Sequence, residues 1–176
     1  MYHSCAKLIC KMTLTTHVAI AAAVTNPLMH THPALIFIVA AASHYVSDAI
    51  PHWDYPLHSI AHESGYKSES RFNWHSNTLL TDLNHMIFDG VLAIGILFFF
   101  MRPEVLRDWL MFGAIAIGST LPDFLQGVYF TKKAAFLKPL QLFHDRMHTK
   151  IKLGPYPLIG IPFQLTILFL SLWLLK

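Results

Sequence analysis

From Met12 to Ser47 no Asp, Glu, Lys or Arg interrupts the chain, and the run is divided only by "NPLMHTHP" at residues 26–33. Asn-Pro and His-Pro are turn signals, so the pattern predicts a helical hairpin with helices over roughly 13–25 and 33–49. Residues 51–78 are polar, carry Gly65, several serines and aromatics, and show no sustained period, which predicts a long loop. A third helix is expected over about 78–101, "TLLTDLNHMIFDGVLAIGILFFFM". Pro103 suits the first position of a fourth, expected to stop at about 121, before Pro122 and Asp123. Residues 124–153 are mixed, with a short helix expected around "LQLFHDRMH". Leu153 to Leu175 then runs 23 residues without charge, making it the best single transmembrane candidate on a requirement of roughly 20 apolar residues. The uncharged cores of the third and fourth helices, Gly90–Met101 and Trp109–Pro122, are shorter, which leaves a soluble and very apolar bundle as the alternative.

Composition favours the membrane. The 176-residue chain is 54% hydrophobic and 13% charged, with a mean hydropathy of +0.44, against roughly 25% charged residues in soluble domains. The expected fold is all-α: about five antiparallel helices, with short helices in the loops, forming a multi-pass membrane bundle. Residues 1–11 read as an N-terminal extension and 12–176 as one helical domain, with a polar loop at 51–78 and a basic, histidine-containing segment at 130–153. The net charge of +3 comes without a Lys/Arg run or an aromatic and basic stripe, so nucleic acid is not indicated as a partner. Cys5 and Cys10 have no downstream partners for a disulfide framework or a four-ligand zinc knot.

Short connections imply antiparallel neighbours, and laying the helices out that way gathers the polar exceptions at one end. His17 then lies at the start of the first helix, His44 and Asp48 at the end of the second, His85 and Asp89 in the first turns of the third, Asp123 at the end of the fourth, and His144 and His148 just beyond. His30 and His32 fall at the other end. Ten basic residues, among them Lys132, Lys133, Lys150 and Lys152, lie on the ligand side, and only Arg102, Arg107 and Lys176 lie opposite. If the helices span, the positive-inside rule puts the ligand side in the cytoplasm.

Three pairs are spaced i, i+4: His44 with Asp48, His85 with Asp89, and His144 with His148. Residues four apart stack on one helix face, close enough to share a metal ion or to hold two adjacent ones. Asp82 extends the His85 stripe by another turn. Asp89 is the strongest of these candidates, because an ionisable residue in an apolar helix is costly and functional by default. Imidazole and carboxylate ligands without thiolate suit zinc, with manganese or iron also accommodated. Two or three such ions would activate water and clamp a phosphodiester, so hydrolysis is the expected reaction class. His17, His44, Asp48, His85, Asp89, Asp123, His144 and His148 form the expected ligand set, and Asp54 and Asp123 the expected catalytic pair. His58, His62 and His75 sit in the polar loop, where solvation alone accounts for them; His52 stands between these groups.

The stretches "TTHVAIAAAV", "SHYVSDAIPHWD", "STLPDF" and "FHDRMHT", spread over residues 15–149, resemble the membrane-bound metal-dependent hydrolase families of small multi-helix proteins. The repeated His-x3-acid pairs are also similar to zinc-dependent phospholipase C and related single-strand nucleases. These resemblances imply zinc and a phosphoester or phospholipid substrate, in contact with a lipid bilayer. Two other functions stay open on the residues alone. A di-iron membrane oxygenase would use "HSIAH" and "HDRMH", although no His-x-x-His-His box is present. A non-catalytic metal carrier would place its ligands through the depth of the membrane.

Overall fold

The computed structural model describes residues 9–11, 13–61 and 70–176. It is all-helical in its architecture, with six α-helices: α1 Leu14–Thr25, α2 Pro33–Asp48, α3 Leu79–Met101, α4 Leu106–Lys132, α5 Lys138–Met147 and α6 Pro157–Trp173. Four very short strands, β1 Ile9–Lys11, β2 Tyr55–Leu57, β3 Ile60–Ala61 and β4 Arg71–Phe72, make two antiparallel pairs, β1 with β2 and β3 with β4. Residues 9–11 thus belong to the fold, with Ile9 opposite Leu57 and Lys11 opposite Tyr55. Residues 1–8, including Cys5, and 62–69, including His62, lie outside the described residues.

The helical hairpin of α1 and α2 is set by its turn. Pro33 opens α2, and the His32 ring accepts the Ala34 N–H at 3.2 Å, capping a helix end that has no acidic residue in its first turn. Alanines on α1 and α2 let backbones approach closely. Val18, Ala21 and Ala22 of α1 pack with Ile36 and Ala40 of α2, Ala93 and Leu97 of α3, and Met111 and Ile115 of α4, all buried. At Gly118 the approach of α4 to α2 is closest: a Cβ there would stand 2.7 Å from the Phe37 carbonyl oxygen and 3.0 Å from Ala40 Cβ. A second buried cluster, Leu57, Ile60, Tyr129, Phe130 and Leu137, fixes the strands against the end of α4.

Two boundaries differ from expectation. α4 does not stop at residue 121 but passes through Pro122 to Lys132, 27 residues in all. Pro122 lacks an N–H, so the Gly118 carbonyl loses its helical donor; that residue lies at the α2 crossing, where packing holds the helix together. Asp123 is therefore an interior residue of α4 rather than one beyond its end. α6 is 17 residues long, shorter than the 23-residue uncharged run, because its helix begins only at Pro157. Among the described residues α3, with 23 residues, is the helix long and apolar enough to cross a membrane; α2 and α6 are shorter apolar helices. α3 also presents large apolar side chains outward, with Leu80 73%, Phe88 71% and Val91 68% exposed.

Candidate metal centre

The first turn of α1, the end of α2 and the end of α5 converge on Asp48. Its Oδ1 lies 3.3 Å from His17 Nε2, and its Oδ2 lies 3.3 Å from His44 Nε2 and 2.8 Å from His144 Nε2. All four residues are buried. His44 and Asp48 meet because they are one helical turn apart on α2; the other contacts depend on packing between helices. The end of α2 is also tied to the segment after α5, where Thr149 N–H donates to the Asp48 carbonyl at 2.8 Å.

The second nitrogen of each ring fixes its tautomer. Ser47 Oγ spends its one hydrogen on the His44 carbonyl at 2.8 Å, so at 2.8 Å from His17 Nδ1 it accepts, and His17 carries its proton on Nδ1. His44 Nδ1 lies 2.7 Å from the Ser119 carbonyl and His52 Nδ1 lies 2.7 Å from the Ile50 carbonyl. A carbonyl only accepts, so both rings also donate from Nδ1. Three histidines thus turn Nε2 toward carboxylates with Nδ1–H held by a partner, the arrangement by which metal-binding imidazoles are usually oriented.

His52 Nε2 stands 2.8 Å from Asp54 Oδ1, and Lys152 Nζ 3.8 Å from Asp54 Oδ2. Neither His44 Nε2 nor His52 Nε2 finds a hydrogen-bond partner among the described residues. A neutral Nε2 lone pair facing a carboxylate oxygen is repulsive unless a proton or a cation lies between them. A proton on one of the His17 and His44 rings, which stack with centroids 4.0 Å apart, would supply part of that positive charge, and protons on both would place two like charges face to face. One divalent cation neutralises the acceptors without charging the rings.

Ligand atoms fall into three overlapping groups, each within 4.8 Å: His17, His44 and Asp123; His44, Asp48 and His144; and Asp48, His52 and His148. Buried His/Asp groups at metal-binding distance are therefore present. His52 was the residue that spacing understated. It continues the i, i+4 series of His44 and Asp48 by one more step, but Pro51 interrupts the helix and hides the relation. Ser47 and Ser119, which orient two of the rings, carried no signal in the sequence.

The structure places the α3 candidates elsewhere. The Asp89 carboxylate accepts Leu14 N–H at 2.6 Å, Thr15 N–H at 3.1 Å and the Thr15 hydroxyl at 2.6 Å. It caps the N-terminus of α1, where a negative charge also favours the helix dipole. Asp82 Oδ2 accepts the Ser59 N–H and hydroxyl, both at 2.7 Å, and so pins the turn before β3. His85 is exposed, 6.2 Å from the Tyr55 ring, and joins none of the three groups. His58 and His75 are exposed as well. Burial pushes the Tyr55 hydroxyl well above its ordinary pKa, and the Asp89, Asp123 and Asp82 carboxylates add to the effect, so Tyr55 remains a donor.

Asp89→Ala should consequently lower stability by about 1–2 kcal/mol through loss of the cap, or roughly 2–8 °C in melting temperature for a chain of this size, with metal content unchanged. Thermal melting and elemental analysis of one preparation check both halves. Metal lost along with Asp89 would return it to the ligand set.

No family model matches the chain, and neither curated proteins nor solved structures provide a match.

Proposed function

We propose that the chain is a membrane-bound, zinc-dependent hydrolase acting on phosphoesters. The observation that carries this is the set of oriented imidazoles: His17, His44 and His52 with Nδ1–H engaged and Nε2 turned to buried carboxylates beside Asp123. His17, His44 and Asp123 would hold one ion, and Asp48, His52 and His148 a second, with Asp48 and His144 between them. Asp54 Oδ1 adds an anionic oxygen at His52. It is 2% exposed, and neither of its oxygens finds a hydrogen-bond partner among the described residues, so it would serve as a further ligand to an ion at His52. Asp123, which also faces an adjoining cavity, is the carboxylate placed to take a proton from water at the site. Paired zinc ions in such a site supply Lewis-acid activation of water and stabilise both oxygens of an in-line displacement.

The membrane setting is supported by α3 and by the apolar exposure of α2 and α6, with Ile38 of α2 61% and Leu158 of α6 91% exposed. The excess of basic residues on the ligand side supports a site facing the cytoplasm in a multi-pass arrangement.

Protein purified in detergent is expected to carry roughly two zinc ions per chain by elemental analysis and to cleave a chromogenic phosphodiester. A chelator should abolish both cleavage and bound metal, lower the melting temperature, and be reversed by zinc. Full metal without cleavage would leave a carrier; absence of metal at neutral pH would remove the whole proposal.

A further inference from the structure

Beside the metal centre lies a cavity of about 830 Å³, walled almost entirely by apolar side chains, among them Val18 of α1, Met86 and Val91 of α3, and Phe124 and Val128 of α4. α3 and α4 touch through Leu97, Met111 and Ile115, and the cavity occupies the space between the other halves of the same two helices. Its volume is within the range of roughly 300–1,000 Å³ usual for ligand sites. The wall is continuous with outward-facing surface, since Ile87, Val91 and Phe124 are 62%, 68% and 65% exposed. Thr120 and Asp123 also line it, and Asp123 is in the His17–His44 ligand group as well. One carboxylate thus belongs both to an oily chamber open to the apolar face of the molecule and to the candidate metal centre.

We infer that this cavity holds the hydrocarbon chain of an amphiphilic substrate, entering sideways between α3 and α4, with its phosphoester headgroup carried to Asp123. A water-soluble phosphoester would find few polar groups here, Tyr55, Thr120, Asp123 and Thr131 in a wall that is mostly apolar, whereas a hydrocarbon chain buries apolar surface along its whole length. The headgroup half of the inference rests on the hydrolase proposal; the chain site does not.

Gly127 gives a clean test, because it lines the cavity and a Cβ added there meets nothing within 4 Å. The full chain is reconstituted in phosphatidylcholine vesicles with a phospholipid carrying a photoactivatable diazirine in its acyl chain, and labelled peptides are mapped by mass spectrometry. Labelling should concentrate on residues 83–94 and 120–131. Gly127→Phe should reduce it there about tenfold or more, by displacing several chain methylenes, with labelling of α6 and metal content preserved. Gly113→Phe, at a position equally free of neighbours and outside the cavity wall, should leave the pattern unchanged; Gly127→Leu should give an intermediate loss. Even labelling of all exposed apolar faces, or labelling of 83–94 and 120–131 that ignores Gly127→Phe, overturns the inference. Focused labelling in protein that hydrolyses nothing would instead sink the hydrolase proposal and leave the chain site standing.

Discussion

Asp48→Asn is expected to strip the protein of metal, with affinity falling at least about 100-fold and cleavage of a phosphodiester falling with it. Asp48 is the one side chain that His17, His44 and His144 all face, at 3.3, 3.3 and 2.8 Å. Asparagine keeps its shape and even offers an N–H to the Nε2 lone pairs, so the helices should stay in place while the anionic ligand is gone. Asp48→Ala separates the two roles. It leaves ring nitrogens buried without a partner, at about 1–3 kcal/mol each, and should lower the melting temperature as well. Elemental analysis and melting curves of the two variants side by side check this. An Asn variant with its full metal complement would show that the Asp48 carboxylate is not a ligand and serves only as a buried hydrogen-bond acceptor.

Gly118→Leu should destabilise the fold and, through it, the site. The added Cβ would meet the Phe37 carbonyl oxygen at 2.7 Å, a backbone atom that cannot rotate away. α2 and α4 would have to part, and overpacking of this kind costs about 1–3 kcal/mol, or roughly 2–12 °C at this chain length. The next residue, Ser119, holds the His44 ring through its carbonyl at 2.7 Å. Displacing it should weaken zinc binding about 10–100-fold, as loss of an orienting partner commonly does. Gly113→Leu, where an added Cβ meets nothing within 4 Å, is the matched control. Equal melting temperatures for the two variants would mean that α2 and α4 are not in contact at Gly118.

Much of the site could be read from spacing because helices make spacing into geometry. His44 and Asp48 share a face by their separation alone, and the turn at "NPLMHTHP" returns them beside His17. The same logic misplaces Asp89. His85 and Asp89 have the identical separation, yet the carboxylate is used by backbone amides of Leu14 and Thr15, some 75 positions earlier. A demand for a cap made by one helix end cannot be seen from the distant residue that meets it. Pro122 misleads for a related reason: proline in isolation argues for a helix end, and only the close crossing at Gly118 shows why α4 continues. The uncharged run after Leu153 overstated α6, since lack of charge reports polarity and Pro157 sets the first turn. α3 reached membrane-spanning length despite Asp82 and Asp89, because Asp82 sits in its first turn, engaged by Ser59, and Asp89, near its middle, is buried against the N-terminus of α1 and engaged there by backbone amides.

α5 is only 10 residues long, below the roughly 12–15 at which an isolated helix becomes marginal in water. Its order must come from what it leans on, and among those contacts are the His144 ring on Asp48 and the Thr149 amide on the end of α2. The segment that carries His144 therefore has little reason to be helical until the end of α2 is in position. α5 is thus a latch on the end of α2, ordered by the same His144–Asp48 contact that completes the candidate site.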